Sequence, residues 1–307
     1  MLSLCRNLLY LQMDGSIKLA ANVKDGARFN KLQILNIDVL SITQQELLEN
    51  LNEGVLLTPN IDVLFKLQHD KTFYDIYKKA EWVVCDSRVI YFLSKLMKAP
   101  LREAIPGSSF FTAYYQYHRN DPDCKIFLLG ASEGVADKAR QRINGKMGRN
   151  IVVGALSPSY GFEKNDKECQ EIIEVINRSA ANVLLVGVGV PKQEKWIDKY
   201  RNNLPHVKLF MALGATIDFE AGNKKRAPKL IRKLGLEWFY RFLNEPQRLF
   251  KRYFIDDIQF FYYFAKQLMG TYKDPFSVNK PKRGGVERVT LHLWSCAAQP
   301  TTERRAA

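Results

Sequence analysis

The chain has 307 residues, 46% of them hydrophobic, with a formal net charge of +14. That size supports one large domain or a domain with an appendage, and the composition excludes a disordered chain. No 18-residue apolar stretch is free of charges, so no membrane-spanning helix is expected. Five scattered cysteines (Cys5, Cys85, Cys124, Cys169 and Cys296) form no C-x-x-C pair. A disulfide framework or zinc cluster is therefore not expected, and a reducing cytoplasm fits the usage.

Residues 1–30 read as an irregular arm; the apolar run from Met1 to Leu11 is interrupted by Arg6 and Asn7 and does not form a signal peptide. From Gln33, short apolar runs alternate with segments of helical spacing. Expected buried strands are Ile34–Leu40, Val55–Leu57, Trp82–Cys85, Ile126–Leu129, Ile151–Val153, Val183–Val186 and Val207–Leu213. Between them, Gln44–Leu51, Arg88–Met97, Val135–Met147 and Lys167–Asn177 read as helices. This alternation predicts a Rossmann-like, doubly wound, mostly parallel α/β sheet over residues 31–222.

After Gly222 strand signals stop, and residues 223–270 read as a basic, aromatic, helical appendage suited to a membrane surface. Lys224 to Arg252 holds ten basic residues against Glu237 and Glu245, a local charge of +8, so the basicity is a patch. A patch implies an anionic partner more strongly than a uniform surplus does. Pro246 reads as a helix start, with Leu249/Tyr253, Phe250/Phe254 and Phe254/Ile258 following at i, i+4. Residues 271–307 read as a disordered tail.

In an open α/β sheet, ligands lie beyond the carboxyl ends of the strands. Thr58 and Asn60 follow the second apolar run and suit either a sugar oxygen or a helix N-cap. Asp86 ends the third run and suits either a general base or another N-cap. Gly130-Ala131-Ser132 turns a strand into a helix, whose amides suit a diphosphate. It lacks the full G-x-G-x-x-G, which argues against a nicotinamide dehydrogenase. In Gly187-Val188-Gly189-Val190-Pro191-Lys192-Gln193, the glycines allow close backbone approach, and the cation and amide suit a phosphate and a sugar hydroxyl. Asp121-Pro122-Asp123 has the D-x-D form of a metal–nucleotide ligand but precedes a strand and reads as a surface turn. The four histidines have no ligand spacing, and Ser108-Ser109 reads as a helix cap.

These turns, in this order, resemble the WecG/TagA/CpsF family of bacterial glycosyltransferases, glycosyltransferase family 26. The resemblance runs from about Leu32 to Lys266. It rests on Thr58-Pro59-Asn60, Asp86, Pro106-Gly107-Ser108, Gly187 to Trp196 (G-V-G-V-P-K-Q-E-K-W), Gly214 to Phe219, and the strings Arg226-Ala227-Pro228, Gly235 to Arg241 and Glu245 to Leu249. The resemblance implies a metal-independent, inverting hexosyltransferase without cofactor. Its donor would be a UDP-sugar and its acceptor a polyprenyl-diphosphate-linked sugar, in teichoic acid or surface polysaccharide synthesis. It implies Asp86 as base, and Thr58, Asn60 and Gln193 at the donor. It assigns arginines such as Arg226, Arg232, Arg241, Arg248 and Arg252 to the diphosphate and membrane. It also implies a cytoplasmic enzyme held peripherally on the inner face of the bacterial membrane, compatible with a homo-oligomer. The chain departs from the family at Asp86-Ser87, where Asp-Gly is common, and at Ala104 to Ser109, where Arg-x-x-Gly-x-Asp is common. The competing expectation is a nucleic-acid-binding module built on the Lys224–Arg252 patch; the lipid reading takes no nucleic acid as partner.

Overall fold

Each long apolar run becomes a strand buried on both faces. A computed structural model describes residues 29–224, 227–228, 230–231 and 234–277, with only the backbone of Arg241 and Arg248. The expected arm (up to residue 28) and the tail beyond residue 277 lie outside the described residues. The chain opens with an antiparallel hairpin, β1 (Lys31–Ile34) and β2 (Ile37–Leu40). Six strands then form one parallel sheet: β3 (Gly54–Leu57), β4 (Trp82–Val83), β5 (Ile126–Gly130), β6 (Val152–Leu156), β7 (Val183–Gly187) and β8 (Leu209–Ala212). Their spatial order is β4-β3-β8-β7-β5-β6.

The hairpin corrects the sequence reading, which took Ile34–Leu40 for one parallel strand. Leu35 adopts a left-handed φ of 52° at the turn. Asn36 is then locked in place: its Nδ2 donates to Leu67 O at 2.9 Å, and its Oδ1 accepts from Gln68 Nε2 at 2.8 Å.

Successive strand residues point to opposite faces. Leu57, Phe127, Leu129, Leu184, Val186 and Phe210 pack against α2 (Ile61–Lys66), α3 (Lys71–Lys79), α7 (Asp166–Arg178) and α8 (Lys192–Tyr200). Leu56, Ile126, Leu128, Leu185 and Met211 pack against α1 (Gln44–Asn50), α5 (Gly107–Tyr117), α6 (Val135–Met147) and α9 (Thr216–Ala221). The sheet is thus wound on both faces. The chain leaves β5 for α6 on one face and β7 for α8 on the other, although β5 and β7 are neighbours. Connections that part in this way open a crevice between the two strand ends.

The C-terminal helices are α10 (Glu237–Asn244), α11 (Pro246–Lys251) and α12 (Asp257–Leu268), with a π-helical turn over Arg252–Asp256. Pro246 occupies the first turn of α11, where its missing N–H costs nothing. Phe260 and Phe264 of α12 insert into the core beside α2. Gln267 clamps the hairpin, accepting from Leu35 N and donating to Gln33 O, both at 2.8 Å. Elsewhere the appendage shows large apolar groups to solvent, among them Leu243, Phe250, Phe254, Ile255 and Ile258. Among the described residues, no helix is long and apolar enough to cross a membrane.

Phe260 is fully buried between the appendage and the core. Phe260→Ala should cost about 3–5 kcal/mol of unfolding free energy, read from urea denaturation, as expected for an emptied aromatic site.

Candidate active site

The left half of the crevice is built from the ends of β3 and β4 and the start of α5. Asp86 N donates to Pro59 O at 3.1 Å and Ile105 N to Cys85 O at 2.7 Å, tying three chain segments together. Asp86 Oδ1 accepts from Gly107 N, the first amide of α5, at 2.8 Å. The N-cap alternative for Asp86 on its own helix is therefore overturned: Ser87 caps α4 (Arg88–Ser94) by accepting from Ile90 N. The expectation that Ser108-Ser109 caps α5 is corrected as well. Helix α5 has no side-chain cap at Pro106, and a carboxylate 21 positions upstream satisfies its first amide.

Residue 107 admits no side chain: a β-carbon there would lie 2.7 Å from Leu213 Cδ2 and 3.2 Å from Thr58 Oγ1. Thr58, Gly107 and Leu213 thus pack together next to Asp86. Asn60 caps α2, its Oδ1 accepting from Val63 N at 3.2 Å, so the bland reading of its oxygen holds and its Nδ2 remains for another acceptor. The neighbouring Cys85 is no nucleophile: burial, reinforced by the Asp86 charge, pushes its thiol up to about 12 against the weaker pull of its hydrogen bonds.

The right half joins the ends of β5, β7 and β8 by backbone contact. A β-carbon on Gly130 would sit 2.4 Å from Gly187 O, and one on Gly187 would sit 2.6 Å from Gly214 O. Only glycine allows these strand ends to meet. Gln193 is buried and fastens the same edge. Its Oε1 accepts from Gly189 N at 3.3 Å and Gly214 N at 3.1 Å, and its Nε2 donates to Glu194 Oε1 at 3.0 Å. Its amide therefore holds two loops, a positioning role that the polar cluster in the sequence did not disclose. Leu213 N also donates to Val186 O. Since Leu213 touches Gly107, the two halves form one continuous edge from Asp86 to Gly130.

Helix α6 starts at Val135, later than a turn directly after Gly130 implies. Val135 N is taken by Ser132 O and Ala136 N by Ser157 Oγ. Ala131, at φ 62°, donates to Gly187 O. The amides of Ser132, Glu133 and Gly134 have no partner among the described residues. They are the open anion-binding groups of this turn.

Lys192, in the first turn of α8 after Pro191, pairs with Glu163 Oε1 at 3.0 Å and lies 4.8 Å from the ring centre of the exposed Tyr160. Asp121 and Asp123 sit at the amino end of β5, away from the strand exits, where Asp121 bonds His118 Nδ1 and Asp123 N. Among the described residues, no three His, Cys, Asp or Glu side chains group as metal ligands. Arg226 and Arg232 lie outside the described residues, as do the side chains of Arg241 and Arg248. Arg252 is turned inward: its guanidinium lies 3.5 Å from Asp62 on α2.

Sequence reasoning missed Glu194, which is fully buried beside Gln193. Burial pushes its carboxyl up to about 7, against the pull of its own backbone amide and Gln193. The signal available was its place next to Trp196 and Ile197 on the buried face of α8.

Fold and site together define a doubly wound α/β protein whose reactive edge lies at the topological switch point. The model of the glycosyl transferase WecG/TagA/CpsF family matches residues 32–274, and the chain belongs to that family of glycosyltransferases. It is similar to the N-acetylglucosaminyldiphosphoundecaprenol N-acetyl-beta-D-mannosaminyltransferase of Staphylococcus aureus strain MRSA252, 28% identical over 237 residues, spanning 74% of this chain and 90% of that protein. The enzyme of the same name from strain MW2 is 27% identical over the same shares.

The raised Glu194 carboxyl carries a definite sign. Its proton is held more tightly in the folded state, so its stabilising contribution is complete below about 4.5 and lost as pH rises through about 7. Glu194→Gln should flatten the fall in melting temperature across that window in differential scanning fluorimetry; an unchanged pH profile would contradict the assignment.

Proposed function

We propose that this chain transfers a hexose, N-acetylmannosamine or a close relative, from a UDP-sugar to a polyprenyl-diphosphate-linked sugar. The reaction would serve teichoic acid or surface polysaccharide synthesis on the inner face of the membrane. The observation that carries the reading is the Asp86 carboxylate, fixed by an α5 amide on an edge that runs unbroken to the β5–β7 crevice. The S. aureus relatives, named for an undecaprenyl-diphosphate acceptor and a mannosaminyl donor group, support the substrate classes.

The mechanism is a single displacement. The acceptor hydroxyl loses its proton to Asp86 as its oxygen bonds the anomeric carbon from the face opposite UDP. The bond from that carbon to the diphosphate oxygen breaks, and UDP leaves with the electron pair. Inversion follows because attack and departure lie on opposite faces. Charge growing on the departing diphosphate calls for preorganised donors. The free amides of Ser132, Glu133 and Gly134 suit that task, with basic side chains of the appendage. Thr58 Oγ1 and the Asn60 amide nitrogen lie on the acid's side of the crevice and suit sugar hydroxyls. Gln193 acts here by holding Gly189 and Gly214, the backbone that faces the donor.

The appendage favours lipid over nucleic acid. Its exposed groups include Leu243, Ile255 and Ile258, which gain from a bilayer interface but offer no stacking surface to a base.

Asp86→Asn should lower turnover at least about a hundredfold, the typical contribution of a positioned base, while UDP affinity by calorimetry stays within about twofold. Near-normal turnover would remove Asp86 as base. Activity should also survive EDTA in a purified assay; strict dependence on an added divalent ion would return attention to Asp121 and Asp123.

A further inference from the structure

Helix α4 leaves the site directly, Ser87 capping it one residue after Asp86. Its buried residues, Ile90 and Ser94, face the core, while Phe92 and Leu96 are 48% and 66% exposed. These two do not stand alone. The turn at Gly235 rests on the same helix: a β-carbon there would lie 3.2 Å from Phe92 Cε2 and 3.5 Å from Arg88 Cβ. That turn exposes Leu234 and Leu236, so two segments far apart in sequence present one apolar surface. An apolar surface joined across elements marks an interaction site more strongly than scattered exposed leucines do.

Charge identifies the occupant. Residues 88–102 contain Arg88, Lys95, Lys98 and Arg102 and no acid, and the adjoining Lys224–Arg252 stretch carries +8. Lys95 lays its stem across the Tyr91 ring with Nζ 4.5 Å from the centroid, the arrangement of a side chain covering apolar surface while its head stays wet. A basic rim around exposed Phe and Leu attracts anionic headgroups and repels a second copy of itself.

We propose that α4 is a membrane-facing element in its own right, with Phe92 and Leu96 entering the interface of an anionic bilayer beside the turn at Gly235. The proposal rests on the lipid-linked acceptor reading above. It gives α4 a task that the C-terminal helices cannot perform: it sets the depth of Asp86 relative to the lipid. Six residues separate Asp86 from Phe92, about 9 Å at the rise of a helix. A sugar hydroxyl carried on a membrane-embedded diphosphate can reach the carboxylate only if that depth is right.

The test uses the full chain carrying Phe92→Ser with Leu96→Ser, and Leu96→Ser alone in case the pair perturbs folding. Flotation with phosphatidylglycerol–phosphatidylcholine vesicles is compared with turnover on a long-chain polyprenyl acceptor and on a short-chain, water-soluble one. Vesicle partitioning of the double variant should fall on the order of tenfold, the scale of two part-buried apolar side chains. Long-chain turnover should fall with it, and short-chain turnover should hold. Leu96→Trp, which suits the interface, should partition at least as well as the wild type. Unchanged partitioning of both serine variants overturns this proposal alone. So does a change confined to oligomeric state in sedimentation, which would make the surface a contact between copies. Wild-type protein that transfers sugar to the short-chain acceptor yet fails to float overturns the membrane reading together with this proposal.

Discussion

One buried amide holds the reactive edge in register. Gln193 Oε1 takes the Gly189 and Gly214 amides together, fixing the exits of β7 and β8 to each other, and Glu194 steadies its other end. Each bond contributes only about 1 kcal/mol net, but an unsatisfied buried amide costs about 1–3 kcal/mol, so the arrangement has no cheap alternative. Displacement of this strut reaches both halves of the crevice. Gly187 carries it to Gly130 through backbone contact, and Leu213 carries it to Gly107, whose N–H holds Asp86. Catalytic geometry on one side and donor geometry on the other are thus set by the same few close approaches.

The α/β class was legible because parallel strands buried on both faces need unbroken apolar runs, and β5, β7 and β8 supply them. Asp86 was legible because a carboxylate ending such a run has few structural uses. Its partner was not: Gly107 is 21 residues away and meets it only through tertiary folding. The hairpin was misread because Ile34, Leu35, Ile37 and Val39 form an apolar run that an Asn-centred turn interrupts without any glycine or proline to mark it. Gln193 exposes a deeper limit. An amide that binds a ligand and an amide that binds two loops require the same side chain beside the same glycines, and only burial tells them apart.

The basic patch divides on the same criterion. Charge counting treats the arginines alike, yet Arg252 faces Asp62 and Lys66 on α2, together with Asp257. Burial pushes Asp257 up to about 7, opposed by Arg252 and reinforced by Asp62 and Asp256. A charge removed from water in this way is costly unless its partners are well placed. The π-helical turn at Arg252–Asp256 inserts extra length where the chain passes from α11 to α12, a feature often found where a helix is re-aimed. It brings Arg252 against α2 while Phe260 enters the core. This arginine holds the appendage to the sheet, which leaves anion contacts to the others.

Two helices therefore connect the appendage to the crevice, and both begin at site residues. Helix α2 starts at Asn60 and ends against α12; helix α4 starts just after Asp86 and carries the Gly235 turn. Short helices packed at both ends move as rigid rods, since bending them would break several backbone bonds at once. The position of the C-terminal helices is thus transmitted to the first turns of α2 and α4, where Asn60 and Asp86 stand. An enzyme whose acceptor is confined to a surface needs such a connection. The lipid fixes where the hydroxyl can be, and the protein places its carboxylate by resting on the same surface, so that one reference plane positions both reactants.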